Sequence, residues 1–151
     1  MMIAQATVSS PAAPSAFFAR WADMATWPEW NTDTEWVRLD GPFVPGATGV
    51  LKPKGGPKVK FVVTVLTDRE FTDVSLLLGA RLTFRHVVET SAGATRVSVA
   101  VTLTGPLSRL WNLVLGKDIK AGIQADLDRL AAVAEASTSG AVRSGAAGAG
   151  R

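Results

Sequence analysis

Residues 81–104 read RLTFRHVVETSAGATRVSVAVTLT. Leu82, Phe84, His86 and Val88 alternate with Arg81, Thr83, Arg85 and Glu89. After Ser91-Ala92-Gly93 the alternation resumes, with Val97, Val99, Val101 and Leu103 opposite Arg96, Ser98 and Thr102. A period of two on both sides of a short Gly-containing turn is the pattern of an antiparallel hairpin with one buried face. Gly105-Pro106 then stops the strands, and the period changes. Ile119, Ile123, Leu127, Leu130 and Ala134 recur at spacings of four and three, which is one apolar stripe on a helix. Leu107, Trp111 and Leu115 carry the apolar content upstream, and Gly116 is placed to interrupt or bend that helix.

Upstream of the hairpin the two-residue period persists. Lys58–Thr67 sets Val59, Phe61, Val63 and Val65 against Lys58, Lys60 and Thr64. Phe71–Leu78, Val50–Pro53 and Glu35–Asp40 read as further strands, separated by Gly79-Ala80, Gly55-Gly56-Pro57, Gly46/Gly49 and Gly41-Pro42. Ile3–Ser9 reads as a first strand. Between it and Glu35 the chain predicts two short helices, one capped by Ser15 and carrying Phe17, Phe18 and Trp21, the other opening at Pro28. The order is strand, two short helices, about six antiparallel strands, then one long helix. That is an α+β fold in which a one-faced sheet of about seven strands needs a cover, and the last helix alone is long enough to supply it. A curved sheet around one helix leaves a hollow between them.

The chain has 151 residues, one domain's worth. Ser137–Arg151 is Ser, Gly, Ala, one Thr, one Val and two Arg, too poor in apolar area to offset ordering entropy, so the folded unit is expected over 1–136 and a disordered tail over 137–151. Cysteine is absent and His86 is the only histidine, which excludes disulfides, thiol catalysis, thiolate sites and multi-histidine metal sites. No metal or cofactor is expected. The formal charge is +3. Lys52, Lys54, Lys58 and Lys60 cluster in an acid-free stretch, read as a solvated basic edge that could bind an acidic partner. No aromatic ring interleaves them before Phe61, so nucleic acid is not expected. The N-terminus lacks a basic region ahead of an apolar one, and no apolar run spans a bilayer. A cytoplasmic protein, monomeric or homodimeric, is the resulting expectation.

Several segments together resemble a known family. They are Trp27-Pro28-Glu29-Trp30-Asn31, Asp40-Gly41-Pro42-Phe43, Gly46 and Gly49 with Lys52-Pro53-Lys54, Leu82-Thr83-Phe84-Arg85-His86, Gly93-Ala94-Thr95-Arg96-Val97 and Gly105-Pro106-Leu107. Over about Ile3–Glu135 the chain resembles the SRPBCC superfamily, also called START-like or Bet v 1-like, and within it the polyketide cyclase/dehydrase and lipid-transport group. The resemblance implies the helix-grip fold and a deep hydrophobic cavity between sheet and C-terminal helix. It transfers no catalytic residue.

His86, with an ordinary pKa near neutrality, is the acid/base candidate. Its strand parity places it on the inner face, where it either works on a ligand or is satisfied by a backbone or hydroxyl partner. Asp126 falls at the edge of the helical stripe formed by Ile123, Leu127 and Leu130. It either reaches the cavity mouth, for a ligand hydroxyl or His86, or pairs with Arg129 one turn on. Trp30 and Trp36 flank the expected entrance, and Phe61 and Phe84 are wall or core. Asp73 and Ser75 lie on a strand with two similarly apolar faces, so their direction is open. The primary reading is a binder of a hydrophobic or aromatic small molecule, lipid or polyketide-like, held by Trp30, Trp36, Phe61, Phe84, His86, Ile123, Asp126 and Leu127. The alternatives are a cyclase-, aromatase- or dehydratase-like enzyme using His86, and an interaction module using Lys52–Lys60.

Overall fold

A computed structural model describes the backbone of residues 1–149 and the side chains of residues 1–137. The tail expected over 137–151 lies, from residue 138 on, outside the residues whose side chains are described. Strands β1 (Met2–Ser10), β2 (Thr34–Asp40), β3 (Thr48–Pro53), β4 (Val59–Leu66), β5 (Glu70–Leu77), β6 (Ala80–Ser91) and β7 (Ala94–Thr104) form one sheet in the order β1-β7-β6-β5-β4-β3-β2. Every pairing is antiparallel. Helix α1 (Pro14–Ala22) and a 3₁₀ turn (Met24–Glu29) connect β1 to β2. After β7 come α2 (Ser108–Trp111), one wide π turn (Asn112–Gly116) and the long α3 (Lys117–Ala149). This is the helix-grip arrangement of the α+β class.

Two tight turns set the register that positions the site. Ala92 and Gly93 both have positive φ (51° and 79°), as a two-residue hairpin turn with the twist of its strands requires. Ser91 therefore faces Ala94, and His86 faces Val99. Leu78-Gly79 joins β5 to β6 with Leu77 opposite Ala80, which puts Phe71 opposite His86 and Asp73 opposite Phe84. Register shifts between Met2 and Ala4, Thr34 and Trp36, and Val63 and Val65 mark bulges. Each bends its strand and adds twist, so the sheet curves around α3.

The core lies in that concavity. Phe17, Trp21, Val63, Phe71, Val97, Val101 and Leu103 are fully buried. From α3, Leu127, Leu130, Ala131 and Ala134 are buried against them, each leucine contributing about 2 kcal/mol. The stripe read from spacing is thus the face that docks.

Three local expectations change. Helix α1 begins at Pro14 with Ala13 at its cap, not Ser15, and no side chain caps it. Proline's fixed φ suits a first helical position, and its missing N–H leaves less for a cap to satisfy. Pro28 sits inside the 3₁₀ turn rather than opening a helix. The lysine cluster is not on a sheet edge: β3 and β4 are interior, and the edges are β1 and β2. The glycine-rich loop folds β4 back onto β3. Lys52 donates to Glu35 (3.2 Å) and to the Pro53 carbonyl (2.8 Å), and Lys58 stands 5.8 Å from the Trp36 ring centre. Among the described residues no helix is long and apolar enough to cross a membrane.

Candidate functional site

Between the sheet and α3 a hollow of about 90 Å³ remains. That is space for about three waters. Phe84, His86 and Val99 line it from β6 and β7, Asp73 and Ser75 from β5, and Leu51 from β3. Trp27, Trp30 and Asn31 close one side, and Ile123, Asp126, Leu127 and Leu130 form the helical wall. Six residues anticipated from the sequence therefore meet here: Trp30, Phe84, His86, Ile123, Asp126 and Leu127.

Two others do not. Phe61 is buried, and its ring lies across Gly49, its cross-strand partner. A Cβ on Gly49 would come within 2.8 Å of Phe61 Cε1 and collide with the Arg38 carbonyl. The missing side chain is what lets the ring turn onto the backbone instead of into the hollow. Trp36 is drawn to Lys58 and forms no part of the wall.

His86 is held as a neutral ring. Its Nδ1 lies 2.8 Å from the Phe71 carbonyl oxygen, which can only accept, so Nδ1 carries the proton. The ring stacks on Phe71 (4.9 Å, 13°) and lies 5.0 Å from Trp21. Burial pushes its pKa down to about 4, against the opposing effect of the Phe71 bond. At neutral pH it offers Nε2 as an acceptor. It is not a proton donor of ordinary histidine strength.

The residue whose direction the sequence leaves open is the more unusual one. Asp73 is buried, and its Oδ1 has no hydrogen-bond partner. Burial raises its pKa to about 7, with its own backbone amide pulling the other way. On the inner face it is the diagonal neighbour of His86. The Trp30 indole is in the same condition, with Nε1 buried and unpartnered. Its neighbour Trp27, 5.4 Å away, is satisfied by the Trp21 carbonyl at 3.1 Å. Buried polar groups without partners are rare enough to ask for an explanation, and a guest in the hollow is one. The signal for Asp73 was the turn. Once Leu78-Gly79 pins β5 on β6, Asp73 must share the face of Phe84 and His86.

Asp126 lines the hollow and also pairs with Arg129. Its Oδ1 accepts from Arg129 Nη2 at 2.8 Å, and Arg129 also donates to the Trp30 carbonyl and to Thr32 Oγ1. Burial raises the Asp126 pKa, Arg129 opposes that, and Asp33 adds to it. The pair clamps α3 to the segment carrying Trp30.

A family described as "Polyketide cyclase / dehydrase and lipid transport" matches residues 1–135. The chain belongs to this family. A comparison with curated proteins finds no match. Among solved structures, this cyclase/dehydrase-family chain superposes on Ara h 8.0201 with TM-score 0.66, 15% identity and 87% and 96% of the two chains covered. It superposes on the di-domain ARO/CYC StfQ from the steffimycin biosynthetic pathway with TM-score 0.69 and 16% identity, covering 89% of this chain and 51% of that one. Norcoclaurine synthase from Thalictrum flavum, in complex with dopamine and hydroxybenzaldehyde, gives TM-score 0.65 and 11% identity, with 85% and 83% covered. These likenesses establish a common Bet v 1-like fold.

Proposed function

We propose that this family member binds a small, neutral, ring-containing molecule with at least one polar substituent in the hollow between the sheet and α3. The observation that carries this reading is the pair of orphaned buried atoms, Asp73 Oδ1 and Trp30 Nε1, on the wall of one apolar hollow. Asp73 is half-protonated near neutrality and its acid form donates one hydrogen bond. The Trp30 indole donates another, and His86 Nε2 accepts. An anionic guest would meet the Asp73 and Asp126 carboxyls on the wall and is disfavoured. A lipid or polyketide-like molecule larger than the hollow enters only as α3 or the Trp30 segment gives way. The family's description, with its cyclases and lipid transport, fits an apolar guest.

The test is binding of a panel of neutral phenols, lactones and fatty alcohols, read by native mass spectrometry. Ser75→Leu puts apolar bulk into the hollow, and the retained guest should be lost while the thermal transition persists. A guest held equally by Ser75→Leu is held elsewhere.

One observation favours an enzymatic reading as well. A carboxyl with a pKa of about 7, beside a neutral imidazole in an apolar site, is poised to give and take a proton at working pH. In that reading Asp73 is the proton carrier, and His86, the acid/base candidate from the sequence, is an acceptor that orients the substrate. Asp73→Asn would abolish turnover of a cyclisation or dehydration substrate, and His86→Gln would weaken it.

A further inference from the structure

Large apolar side chains stand in solvent at one end of the molecule. Leu76 and Leu78 flank the tip of the β5–β6 hairpin, and Leu107, Leu110, Leu113 and Val114 project from α2 and the π turn. Leu78 and Leu113 are 81% and 83% exposed. The two segments are joined: Trp111 Nε1 donates to the Leu78 carbonyl (2.8 Å), and the Leu107 amide donates to the Gly79 carbonyl (2.9 Å). Among the described residues, Val44 is the only large exposed apolar side chain away from this end, apart from the two N-terminal methionines. Met1 itself is tied there, with its amine bonded to the Leu103 carbonyl.

A soluble domain rarely gathers its exposed leucines in one place without a partner for them. Cations ring this patch. Leu76 lies between Lys60 and Arg81 across the sheet. Arg109 sits within α2, and Lys117 and Lys120 follow the π turn, all exposed. None of these five makes an ion pair among the described residues. Asp118 is the one acid between Arg109 and Lys120 in sequence, and Asp33 lies near Gly122 further along.

We propose that this end of the protein docks on an anionic lipid bilayer. Leu78, Leu110, Leu113 and Val114 enter the headgroup–acyl boundary, and Lys60, Arg81, Arg109, Lys117 and Lys120 lie against the lipid phosphates. Protruding leucines with a basic collar are what an interfacial anchor requires, since apolar burial and charge attraction add. The charge argues against the other obvious occupant, a second copy. A two-fold pairing of this face would set two basic collars against each other. Val114 precedes Ile123 of the cavity wall by about 14 Å along the helix, at 1.5 Å per residue. The docked end therefore lies next to the site. The proposal does not depend on what the hollow holds.

The test is co-sedimentation of the full chain with vesicles of phosphatidylcholine containing a minor fraction of phosphatidylserine, and with pure phosphatidylcholine vesicles. Binding is expected to the anionic vesicles and to weaken steeply with added salt. Leu78→Asp/Leu113→Asp should abolish it. Arg109→Gln and Lys117→Gln should each lower partitioning roughly fivefold. Val44→Asp, at the other end, should leave it unchanged. These leucines are exposed, so folding is checked by an unaltered thermal transition. Absence of partitioning overturns the proposal, as does equal loss in Val44→Asp. So does a dimer, seen by analytical ultracentrifugation, that Leu78→Asp/Leu113→Asp dissociates without any vesicle binding by the parent protein.

Discussion

Asp73 and His86 sit on one face of two paired strands, and burial moves both toward neutrality from opposite sides. The folded chain holds a proton on Asp73 between pH 4 and 7 where the unfolded chain does not. Stability supplied by that group is present at low pH and is lost as pH rises through about 7. Asp73→Asn keeps the shape and removes the titration. We expect the variant to match the parent near pH 4 and to exceed it near pH 8, by on the order of 3 kcal/mol in urea unfolding. A pH-independent difference would mean that the carboxyl is ionised in the folded chain. His86 was legible as an inner-face residue because its alternation is unbroken from Leu82 to Val88. Asp73 was not, because Phe71, Thr72, Asp73 and Val74 are buried in succession. A strand covered on both faces carries no parity.

The elements owe their placement to a few backbone positions. At Gly49 the strand is bare so that Phe61 can cover it. Gly49→Ala drives a methyl into the Phe61 ring and the Arg38 carbonyl. We expect a loss of about 2 kcal/mol or more, read as a lower urea midpoint with unchanged slope. An unperturbed midpoint would show that β3 shifts freely. The stripe on α3 was legible because 3.6-residue spacing survives any tertiary context. Its partners were not. The Asp126–Arg129 pair was legible at one helical turn, but that Arg129 also joins the Trp30 carbonyl and Thr32 is a contact across about 100 positions of chain, with no local signature. The lysine cluster failed as an edge for the same kind of reason. Strand order is a pairing outcome, and a local run of lysines is equally at home on an interior strand with one face in water.

Over the whole molecule the two buried titrations oppose each other. The unfolded chain protonates His86 near its ordinary value, whereas the folded chain resists to about pH 4. Stability from this group is therefore gained as pH rises between about 4 and 6.5, the reverse of Asp73. His86→Gln removes the rising contribution. The stability of the parent minus that of the variant should grow across that window by on the order of 3 kcal/mol. A constant difference would place His86 in contact with water. The molecule has two distinct ends, one with the tight hairpin between β6 and β7, the other with the exposed leucines and their collar.

Alternation, turn glycines and the final helical stripe determined by themselves that this chain is a curved antiparallel sheet gripping one long helix, because those signals are local and each depends on a few neighbouring residues. Only the tertiary structure decided that Phe61 lies on Gly49 and Trp36 under Lys58, that Asp73 lines the same hollow as Trp30, and that the leftover leucines converge at one end. Each of these is a meeting of side chains far apart in the chain, set by strand register and order.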